Sequence, residues 1–432
     1  MVQKMRKMKD SGIEWIGEIP EGWETINPKA LFIQRKDRAS KGERQLTSSQ
    51  QYGILYQDEY MELTGSKVVT VEKDFDILKH VEAGDFVISM RSFQGGLEYS
   101  TKSGAISSAY VMLVPNLELV YPRFYRWLLK SSVYIDALHR TTNMVRDGQA
   151  MRYSNFAQVR LFTLPLDEQK SRADFLDVEC SSIDKILFKT RSSIEEYKKL
   201  KQAVITQAVT KGVRGEREMK NSEVDWFGEI PEEFDSVQLK FFCKLITDGT
   251  HFSPVTVENG FPYITAGDVH GIGLDYNSAK RISEEDFQLL VAQGCQPLKG
   301  DVLLVKDGAT TGRVGFVDSD TPCVILSSVA MLRPADNTDG HYLMYLLASD
   351  FLQKQILVSM AGSAMPRTTL TKLTKYIGLL PPLHEQKEIA DYLNGKCAEI
   401  DKLIAKKEQL VKELESYKKS LIYEVVTGKR EV

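Results

Sequence analysis

Two long stretches of the chain place apolar residues along one side of a helix. In the second stretch the mean step between these positions is about 3.5 residues, which is the heptad period of a two-helix seam. The predicted seam positions there are Ile400, Leu403, Lys407, Leu410, Leu414, Tyr417 and Leu421. A more polar set keeps the same phase in the first stretch, at Ile183, Ile186, Thr190, Ser193, Tyr197, Leu200 and Val204.

The ends of both stretches carry helix start and stop signals. A proline precedes each one, a glutamate (Glu168 or Glu385) falls in the first turn, and a glycine (Gly212 or Gly428) follows the last turn. Each helix would span about 44 residues, or about 66 Å. A helix this long with one apolar stripe needs a partner. We therefore expect an antiparallel coiled coil that holds two globular units apart, with a packing helix inside one domain as the alternative.

The sequence also matches itself. Residues 12–21 recur as 223–232, and residues 168–170 recur as 385–387, after which the second match continues without a gap to the end of both helical stretches. Two repeats of this length are too few and too long for a solenoid. They predict two similar globular units in a pseudo-twofold arrangement. The middles of the repeats diverge, which fits either two different specificities on one scaffold or neutral drift after duplication.

The units between the helices have mixed α and β patterns. Short β-rich runs at 86–89, 110–114, 302–305 and 324–326 predict strands. Ser283 with Asp286 reads as the cap of a short helix, and the segments 125–138 and 342–357 carry helix-period apolar residues. The predicted class is α+β. The predicted divisions are 1–165 and 218–382 for the globular units, with 166–217 and 383–432 for the central and C-terminal long helices.

Composition narrows the function classes. The 432 residues are 42% hydrophobic and 27% charged, which is ordinary for a globular protein and excludes a disordered polar chain. With 56 basic and 59 acidic residues the net charge is −3, so DNA binding would need locally concentrated positive charge or a partner. Five widely spaced cysteines form no CxxC pair and predict buried thiols in a reducing, cytoplasmic setting.

Signatures of catalysis are missing from the sequence. There is no GxxxxGK[ST] phosphate loop, no GxSxG, and no Asn-Pro-Pro-aromatic motif of an amino-methyltransferase. The segment 271–273 lacks the third glycine of a dinucleotide site. We expect no catalytic site, no metal site and no cofactor of its own in this chain.

Local groups of basic and amide side chains are candidates for DNA contacts. Arginine, asparagine and glutamine can each bind a base edge with two hydrogen bonds, whereas lysine mostly binds phosphate. The candidates in the first half are Arg35, Lys36, Arg38, Arg44, Arg91, Gln94, Arg140, Asn143, Arg146, Gln149 and Arg152. Those in the second half are His251, Lys306, Arg313 and Arg367. Each group taken alone could be an ordinary solvated loop, and His251 an ordinary loop histidine. Their recurrence at matching places in both halves favours binding.

These features together resemble the specificity subunit of type I restriction-modification systems. The resemblance covers essentially the whole chain. The segments that carry it are 12–20 and its copy, the helix starts at 164–169 and 380–386, and the strand 300–305 with Lys306-Asp307-Gly308.

The resemblance implies two target-recognition domains, each reading one half of a split asymmetric DNA sequence. It also implies that the long helices space these domains and bind methyltransferase subunits, and that translocase-nuclease subunits join the larger complex. S-adenosylmethionine, ATP and Mg would act in those partners. Three alternatives stay open at this point: a stand-alone DNA-binding regulator, a coiled-coil adaptor whose basic loops are ordinary surface, and an unrecognised enzyme.

Overall fold

The computed structural model describes residues 6–71, 75–90, 92–141, 151–224, 226–270, 273–360 and 366–432. The chain divides into two units. The first comprises Met1–Thr190 with Gln409–Val432, and the second comprises Arg191–Glu408. The finer boundaries predicted from the sequence stay a prediction.

The first unit mixes short strands with short helices before a long helix. Its strands are β1 (Met8–Ile13), β2 (Gly17–Pro20), β3 (Glu24–Ile26), β4 (Phe32–Arg35), β5 (Leu46–Ser49), β6 (Gly53–Tyr56), β7 (Lys79–Val81), β8 (Phe86–Ile88), β9 (Glu98–Tyr99), β10 (Gly104–Ile106), β11 (Val111–Pro115) and β12 (Leu161–Thr163). Its helices are α1 (Pro28–Leu31), α2 (Gln57–Thr64), α3 (Ser92–Gly95), α4 (Pro122–Leu128), α5 (Ser132–Arg140), α6 (Tyr153–Gln158) and the start of α7 (Leu166–Lys211), with a 3-10 turn at Phe75–Ile77.

The second unit has the same kind of mixture. Its strands are β13 (Met219–Asn221), β14 (Glu229–Pro231), β15 (Asp235–Gln238), β16 (Cys243–Asp248), β17 (Thr256–Val257), β18 (Phe261–Ile264), β19 (Val269–His270), β20 (Gly273–Leu274), β21 (Lys280–Ile282), β22 (Val302–Val305), β23 (Val314–Phe316), β24 (Val324–Ile325), β25 (Val329–Pro334) and β26 (Ile377–Leu380). Its helices are α8 (Glu284–Ala292), α9 (Gly340–Ala348), α10 (Asp350–Ser359), α11 (Leu370–Leu373) and most of α12 (Leu383–Val426), with a 3-10 turn at Leu239–Phe242.

One sheet plan is built twice. The first unit has an antiparallel four-stranded sheet in the order β4-β11-β8-β9, and the second has β16-β25-β22-β23. Residues alternate between the two faces of a strand, so Phe86 and Ile88 enter one apolar cluster while Val87 enters another. Val302 and Leu303 divide in the same way. Because both faces are covered, these strands are apolar throughout rather than alternating.

The outer strands differ between the units. In the first unit, β5 pairs with β6 and β10 with β7. In the second, a further four-stranded sheet has the order β17-β21-β18-β24, with β18 and β24 parallel. The middles of the repeats, which diverge in sequence, therefore still share a central four-stranded sheet. The two units differ in the strands that surround this sheet.

Each segment predicted to carry helix-period apolar residues contains two helices rather than one. The break falls at Ser131 in the first unit and Ser349 in the second, both with extended backbone. The two hydroxyls donate to the carbonyls three residues earlier, at Leu128 (2.7 Å) and Leu346 (2.5 Å). This local hydrogen bond competes with helix continuation, which is why serine interrupts an otherwise helical pattern. The predicted cap of α8 is confirmed, since the Ser283 hydroxyl accepts from the Asp286 amide at 3.1 Å.

A glutamine at the equivalent position of each repeat, Gln169 or Gln386, fixes the start of each long helix. The side-chain amide of Gln169 donates to the carbonyls of Leu164 (2.9 Å) and Leu119 (2.8 Å). Gln386 donates in the same way to Pro381 (2.8 Å) and Asn337 (2.9 Å). Both glutamines are buried, and their bonds satisfy loop carbonyls that would otherwise be buried without a partner.

The two long helices run antiparallel within each unit. In the first unit Arg172 contacts the carbonyl of Val425 (2.8 Å), and Asp184, further along α7, contacts Lys418, further back along α12 (2.6 Å). In the second unit Lys201 contacts Asp401 at 2.6 Å. Buried residues of both helices also enter the apolar core of each unit. The predicted coiled coil is confirmed, and in each unit it packs on the globular part.

The predicted seam is right in period and partly wrong in position. Every second predicted position is at least half-buried, for example Ile400, Leu414 and Leu421. Between them the predicted Leu403, Leu410 and Tyr417 are exposed, and their neighbours lie in the seam instead: Ile404, Val411 and Lys418 in α12, with Leu187 replacing Ile186 in α7. A mean step of 3.5 is produced equally by steps of three then four or four then three, so the period alone does not choose between them.

No helix among the described residues is long and apolar enough to cross a membrane. All five cysteines are free, and four of them are buried. Burial raises the pKa of the Cys180 thiol to about 11. The cysteines therefore pack as small apolar residues, as predicted.

Candidate nucleic-acid interface

Arg35, at the end of β4, is occupied by intramolecular ion pairs. Its guanidinium donates to both carboxylate oxygens of the buried Asp85, at 2.7 and 3.0 Å, and to Asp37 at 3.0 Å. The hydrogen bonds that Arg35 donates to Asp85 raise the pKa of Arg35 despite partial burial. Asp85 directly precedes β8. In the second unit Asp301 directly precedes the equivalent strand, β22, and is paired with Arg333 at 2.8 Å. Arg35 thus has a structural role, and its contact with DNA stays a prediction.

A cationic group lies next to Arg35 along the chain. Lys36 is exposed, and Arg38 is exposed with one amino group on the carbonyl of Ile77 at 2.9 Å. The backbone of Arg38 bridges that of Lys79. The pKa of Lys79 is lowered by burial and by the nearby positive charge of Arg38. Two cations in this relation would be stabilised by an anion such as a phosphate. Lys79 escaped sequence analysis because nothing around it along the chain marks it.

Arg44 stacks on an aromatic ring near the end of the basic segment 34–45, which also contains Arg35, Lys36 and Arg38. Its guanidinium carbon lies 3.6 Å from the centre of the Tyr56 ring, and its amino group lies 2.7 Å from Asp58. The stacking holds the guanidinium plane against the ring, while 54% of the side chain is exposed. The stacked Arg44 is therefore positioned but still accessible.

The remaining first-unit candidates divide into described and undescribed positions. Gln94 is exposed in α3, which packs against α5. Arg140, at the end of α5, is 66% exposed and pairs with Glu14 at 2.9 Å. Arg152 is exposed just before α6. Arg91, Asn143, Arg146 and Gln149 lie outside the described residues, so their candidacy stays a prediction.

A cleft of about 590 Å³ opens beside the cationic segment of the first unit. Amide and hydroxyl side chains contribute to its wall, among them Gln45, Ser107, Ser108 and Tyr110. The amide of Gln45 exchanges two hydrogen bonds with the backbone of Val71, at 2.8 and 2.9 Å. The irregular segment that contains Val71 is thereby held at one side of the cleft.

In the second unit, four charged residues form one connected group, which we call the Lys306 cluster: Asp248, Lys306, Asp307 and Arg367. The ammonium group of Lys306 lies 2.9 Å from Asp307 and 3.3 Å from Asp248. Arg367 approaches Asp307 from the other side, at 2.9 Å. Lys306 is only 2% exposed, so its predicted direct contact with DNA does not fit its position. The local sequence around Lys306 does not reveal this burial, because Asp248 is distant along the chain.

The cluster lies where two loops are joined by backbone hydrogen bonds. The amide of Gly308 donates to the carbonyl of Pro366 at 3.0 Å, and the amide of Thr368 donates to that of Lys306 at 2.9 Å. Gly308 has a φ of 97°, a left-handed conformation that glycine adopts without strain. The Lys-Asp-Gly order therefore matters locally: it turns the chain immediately after the two charged residues.

The last two second-unit candidates flank this cluster along the chain. Arg313 is exposed at the far end of the loop that starts at Lys306. His251 is exposed three residues after Asp248, in a loop anchored by the Thr250 amide on the carbonyl of Ile325, at 3.1 Å. Among the described residues, Lys306 and Arg367 lie in one cluster with which neither Arg313 nor His251 forms an ion pair. Arg313 donates instead to the carbonyl of Val269, at 3.5 Å.

Within the described ranges, no group of three histidine, cysteine, aspartate or glutamate side chains is placed to hold a metal ion. The site chemistry that the residues do offer is hydrogen bonding and charge: arginines held by aspartates, exposed lysine and glutamine, and hydroxyls around a cleft.

The sequence of this chain is similar to that of proteins of one kind, the specificity subunits of type I restriction enzymes. Residues 231–415 match the family model described as "Type I restriction modification DNA specificity domain". The chain is 26% identical over 426 residues to the type I restriction enzyme MjaVIII specificity subunit of Methanocaldococcus jannaschii, covering 95% of this chain and 93% of that protein. It is also 26% identical over 271 residues to the EcoBI specificity subunit of Escherichia coli, covering 59% of this chain and 55% of that protein.

Solved structures share the fold. A chain from a study of complex assembly and conformational transition in the type I R-M system aligns with a TM-score of 0.69 at 15% identity, covering 95% of this chain and 99% of that one. The HsdS subunit of Thermoanaerobacter tengcongensis aligns with a TM-score of 0.50 at 17% identity, covering 95% and 98%. The family model and the relatives point the same way: in sequence this chain is similar to specificity subunits of type I restriction-modification systems.

Proposed function

We propose that this chain is the sequence-specific DNA-binding subunit of a type I restriction-modification complex, and that each unit reads one half of a bipartite, asymmetric target. The observation that carries the proposal is the repeated central sheet with unlike loops. The order β4-β11-β8-β9 recurs as β16-β25-β22-β23, while the loops that follow β8 and β22 carry different side chains. A shared frame with different polar groups suits two reading heads for two different half-sites.

The charge distribution supports a DNA partner despite the net charge of −3. Lys36, Arg38 and Lys79 concentrate positive charge in the first unit. Phosphate contacts supply most of the sequence-independent affinity for DNA. Because the net charge of the chain is negative, we propose that partner subunits add further phosphate contacts.

We propose that methyltransferase subunits bind the long helices. In the first unit, α7 exposes Val178, Ile186 and Phe188, and Phe188 is 74% exposed. A groove of about 650 Å³ runs beside Phe188 and contains Trp127. A groove bordered by exposed apolar side chains offers the kind of surface that a protein partner can cover. Translocase-nuclease subunits would join the larger complex.

The chemistry of the complex would reside in those partners. The relatives are named specificity subunits, and we propose that this chain is non-catalytic and binds no cofactor itself. S-adenosylmethionine would be bound by the methyltransferase subunit, and ATP and Mg by the translocase-nuclease subunit. We further propose that the complex acts in the cytoplasm, where its DNA target lies.

The test is to compare the purified chain with the reconstituted chain-plus-methyltransferase complex. We expect labelled methyl transfer from S-adenosylmethionine only in the complex, and only on DNA that contains one split sequence. Methyl transfer by the chain alone would contradict a non-catalytic role. Tight sequence-specific binding by the chain alone, unchanged by the methyltransferase subunit, would instead indicate a stand-alone regulator.

A further inference from the structure

In the Lys306 cluster, Arg367 approaches Asp307 through one of its three side-chain nitrogen atoms, in an ion pair without a hydrogen bond. Nε of Arg367 lies 2.9 Å from Asp307, while 58% of the Arg367 side chain is exposed. An arginine paired through Nε keeps its two terminal amino groups for a second partner. Those two groups are the pair that binds O6 and N7 of a guanine in the major groove.

Asp307 is itself fixed from behind. Its other carboxylate oxygen lies 2.9 Å from Lys306, whose side chain is 3% exposed and also reaches Asp248. A buried lysine between two aspartates has its charge fully used and cannot reach DNA. Its role is to orient Asp307, as an outer-shell partner orients a functional group.

The backbone next to Arg367 is anchored as well. Thr368 is fully buried, and its hydroxyl lies 2.6 Å from the hydroxyl of Tyr376, which in turn donates to Ser359 at 2.6 Å. The Thr368 amide also donates to the backbone carbonyl of Lys306, at 2.9 Å. The backbone from which Arg367 projects is therefore fixed, so binding requires only the side chain, not the loop, to be ordered.

The charge of the cluster argues against a plain phosphate contact. Two cations and two aspartates sum to zero, so the cluster offers little net attraction for the DNA backbone. A neutral cluster with one outward arginine is suited to hydrogen-bonded reading of a base edge rather than to charge neutralisation.

On the basis of the proposed function, we infer that Arg367 reads a guanine in the half-site of the second unit, and that Asp307 and Lys306 are positioning residues for it. The guanine would accept two parallel hydrogen bonds from the terminal amino groups, while the ion pair with Asp307 keeps the guanidinium close to the Lys306 cluster.

The experiment uses the full chain with its methyltransferase subunit and duplexes randomised at each position of the recognised sequence. Arg367→Ala and Arg367→Lys should both lose the preference for one G·C pair, by about 5- to 150-fold, and leave the other positions unchanged. Asp307→Asn should weaken the preference at that same pair by a smaller factor, since Arg367 is still present. Arg281→Ala, an arginine of the same unit whose guanidinium donates to the carbonyl of Gly260, is the matched control.

Two results would overturn the inference. One is an equal loss of affinity for all sequences in Arg367→Ala, with the slope of log affinity against log salt reduced by about one, which would mark a phosphate contact. The other is an unchanged base preference in both Arg367 variants. Arg367 is exposed, so these two variants decide the question even if Asp307→Asn fails to fold. A wild-type complex with no split target would instead reject the proposed function itself.

Discussion

At the scale of single residues, one carboxylate in each repeat shows how the two halves have diverged. Glu168 is partly buried, which raises its pKa, but hydrogen bonds from Arg6, Arg172 and Trp23 outweigh this and lower the pKa to about 2. At the equivalent Glu385, burial dominates over the attraction of Arg217, and the pKa is raised. The positions matching Arg172 and Trp23 hold the apolar residues Ile389 and Phe234 in the second half.

The opposite pKa shifts of Glu168 and Glu385 predict different effects on stability when each glutamate is replaced by a neutral glutamine. A carboxylate whose folded pKa is depressed stabilises the fold above its ordinary pKa of about 4.5, and that contribution is lost as the pH falls toward 2. Glu168→Gln should therefore lower the free energy of unfolding by about 3 kcal/mol at pH 7, and by less than half of that near pH 3. Denaturant unfolding followed by tryptophan fluorescence measures this, since Trp15, Trp23 and Trp127 lie in the first unit.

Glu385→Gln is the matched control for that measurement. Because the folded pKa of Glu385 is raised, the ionised form disfavours folding, and the neutral glutamine should cost little at pH 7. A pH-independent loss of equal size in both variants would contradict the assigned pKa directions.

Substitutions at two adjacent cations, Arg35 and Lys36, should affect stability and DNA binding separately. Arg35→Ala leaves the buried Asp85 without its ion pair, and such a loss typically costs about 3–5 kcal/mol. Lys36→Ala removes an exposed charge, so it should leave stability unchanged and reduce the salt slope of DNA binding by about 0.9. Thermal melts and salt-dependent binding of the complex check both variants. Loss of stability in Lys36→Ala would argue against this division of roles.

The cations also show what sequence could and could not predict of the candidate site. Their presence in the segment that starts at Arg35, and at Lys306 and Arg367, is visible along the chain. Their roles are not, because they depend on partners far away in sequence. Lys306 is buried by Asp248, and Arg35 is occupied by Asp85, 50 residues away.

At the scale of elements, the long helices were the most predictable feature. Period, start and end signals placed them correctly, because each is a local property of the sequence. The exact seam was less predictable, since Lys418 and Thr190 lie in it and interrupt the apolar pattern. The paired breaks at Ser131 and Ser349 were missed because a single serine is a weak signal within an apolar helical run.

Neighbouring seam residues give a direct test of the observed register. Leu187 is buried and Ile186 is 48% exposed. Leu187→Ala should lower the free energy of unfolding by about 2–5 kcal/mol through lost burial and the cavity left behind. Ile186→Ala should change it by less than about 0.5 kcal/mol. Equal effects, or the reverse order, in denaturant unfolding would contradict the register.

At the scale of the whole molecule, duplication was readable from sequence because the repeat ends match. The strand order could not be predicted from the sequence, because the central sheets pair strands that are distant along the chain. β4 pairs with β11, about 80 residues later, and β16 pairs with β25 although the strands of another sheet lie between them in sequence. Such non-local pairing has no signature in a single sequence. The same difficulty hides how the loops of 306–313 and 366–368 meet.

The repeated frame with unlike loops leads to the central claim: the two units read independent halves of one DNA target. The chain's first recognition segment can be exchanged without touching the second, because residues 24–163 lie within the first unit and before α7. The MjaVIII specificity subunit, aligned over 95% of this chain, offers a matching region.

The most direct measurement is therefore sequencing of methylated DNA from cells that express the methyltransferase subunit with either the native chain or the chain carrying the exchanged residues 24–163. We predict that one half of the methylated sequence changes and the other half, read by the second unit, stays the same. A methylated sequence altered in both halves, or altered in neither while methylation persists, would contradict independent reading by the two units.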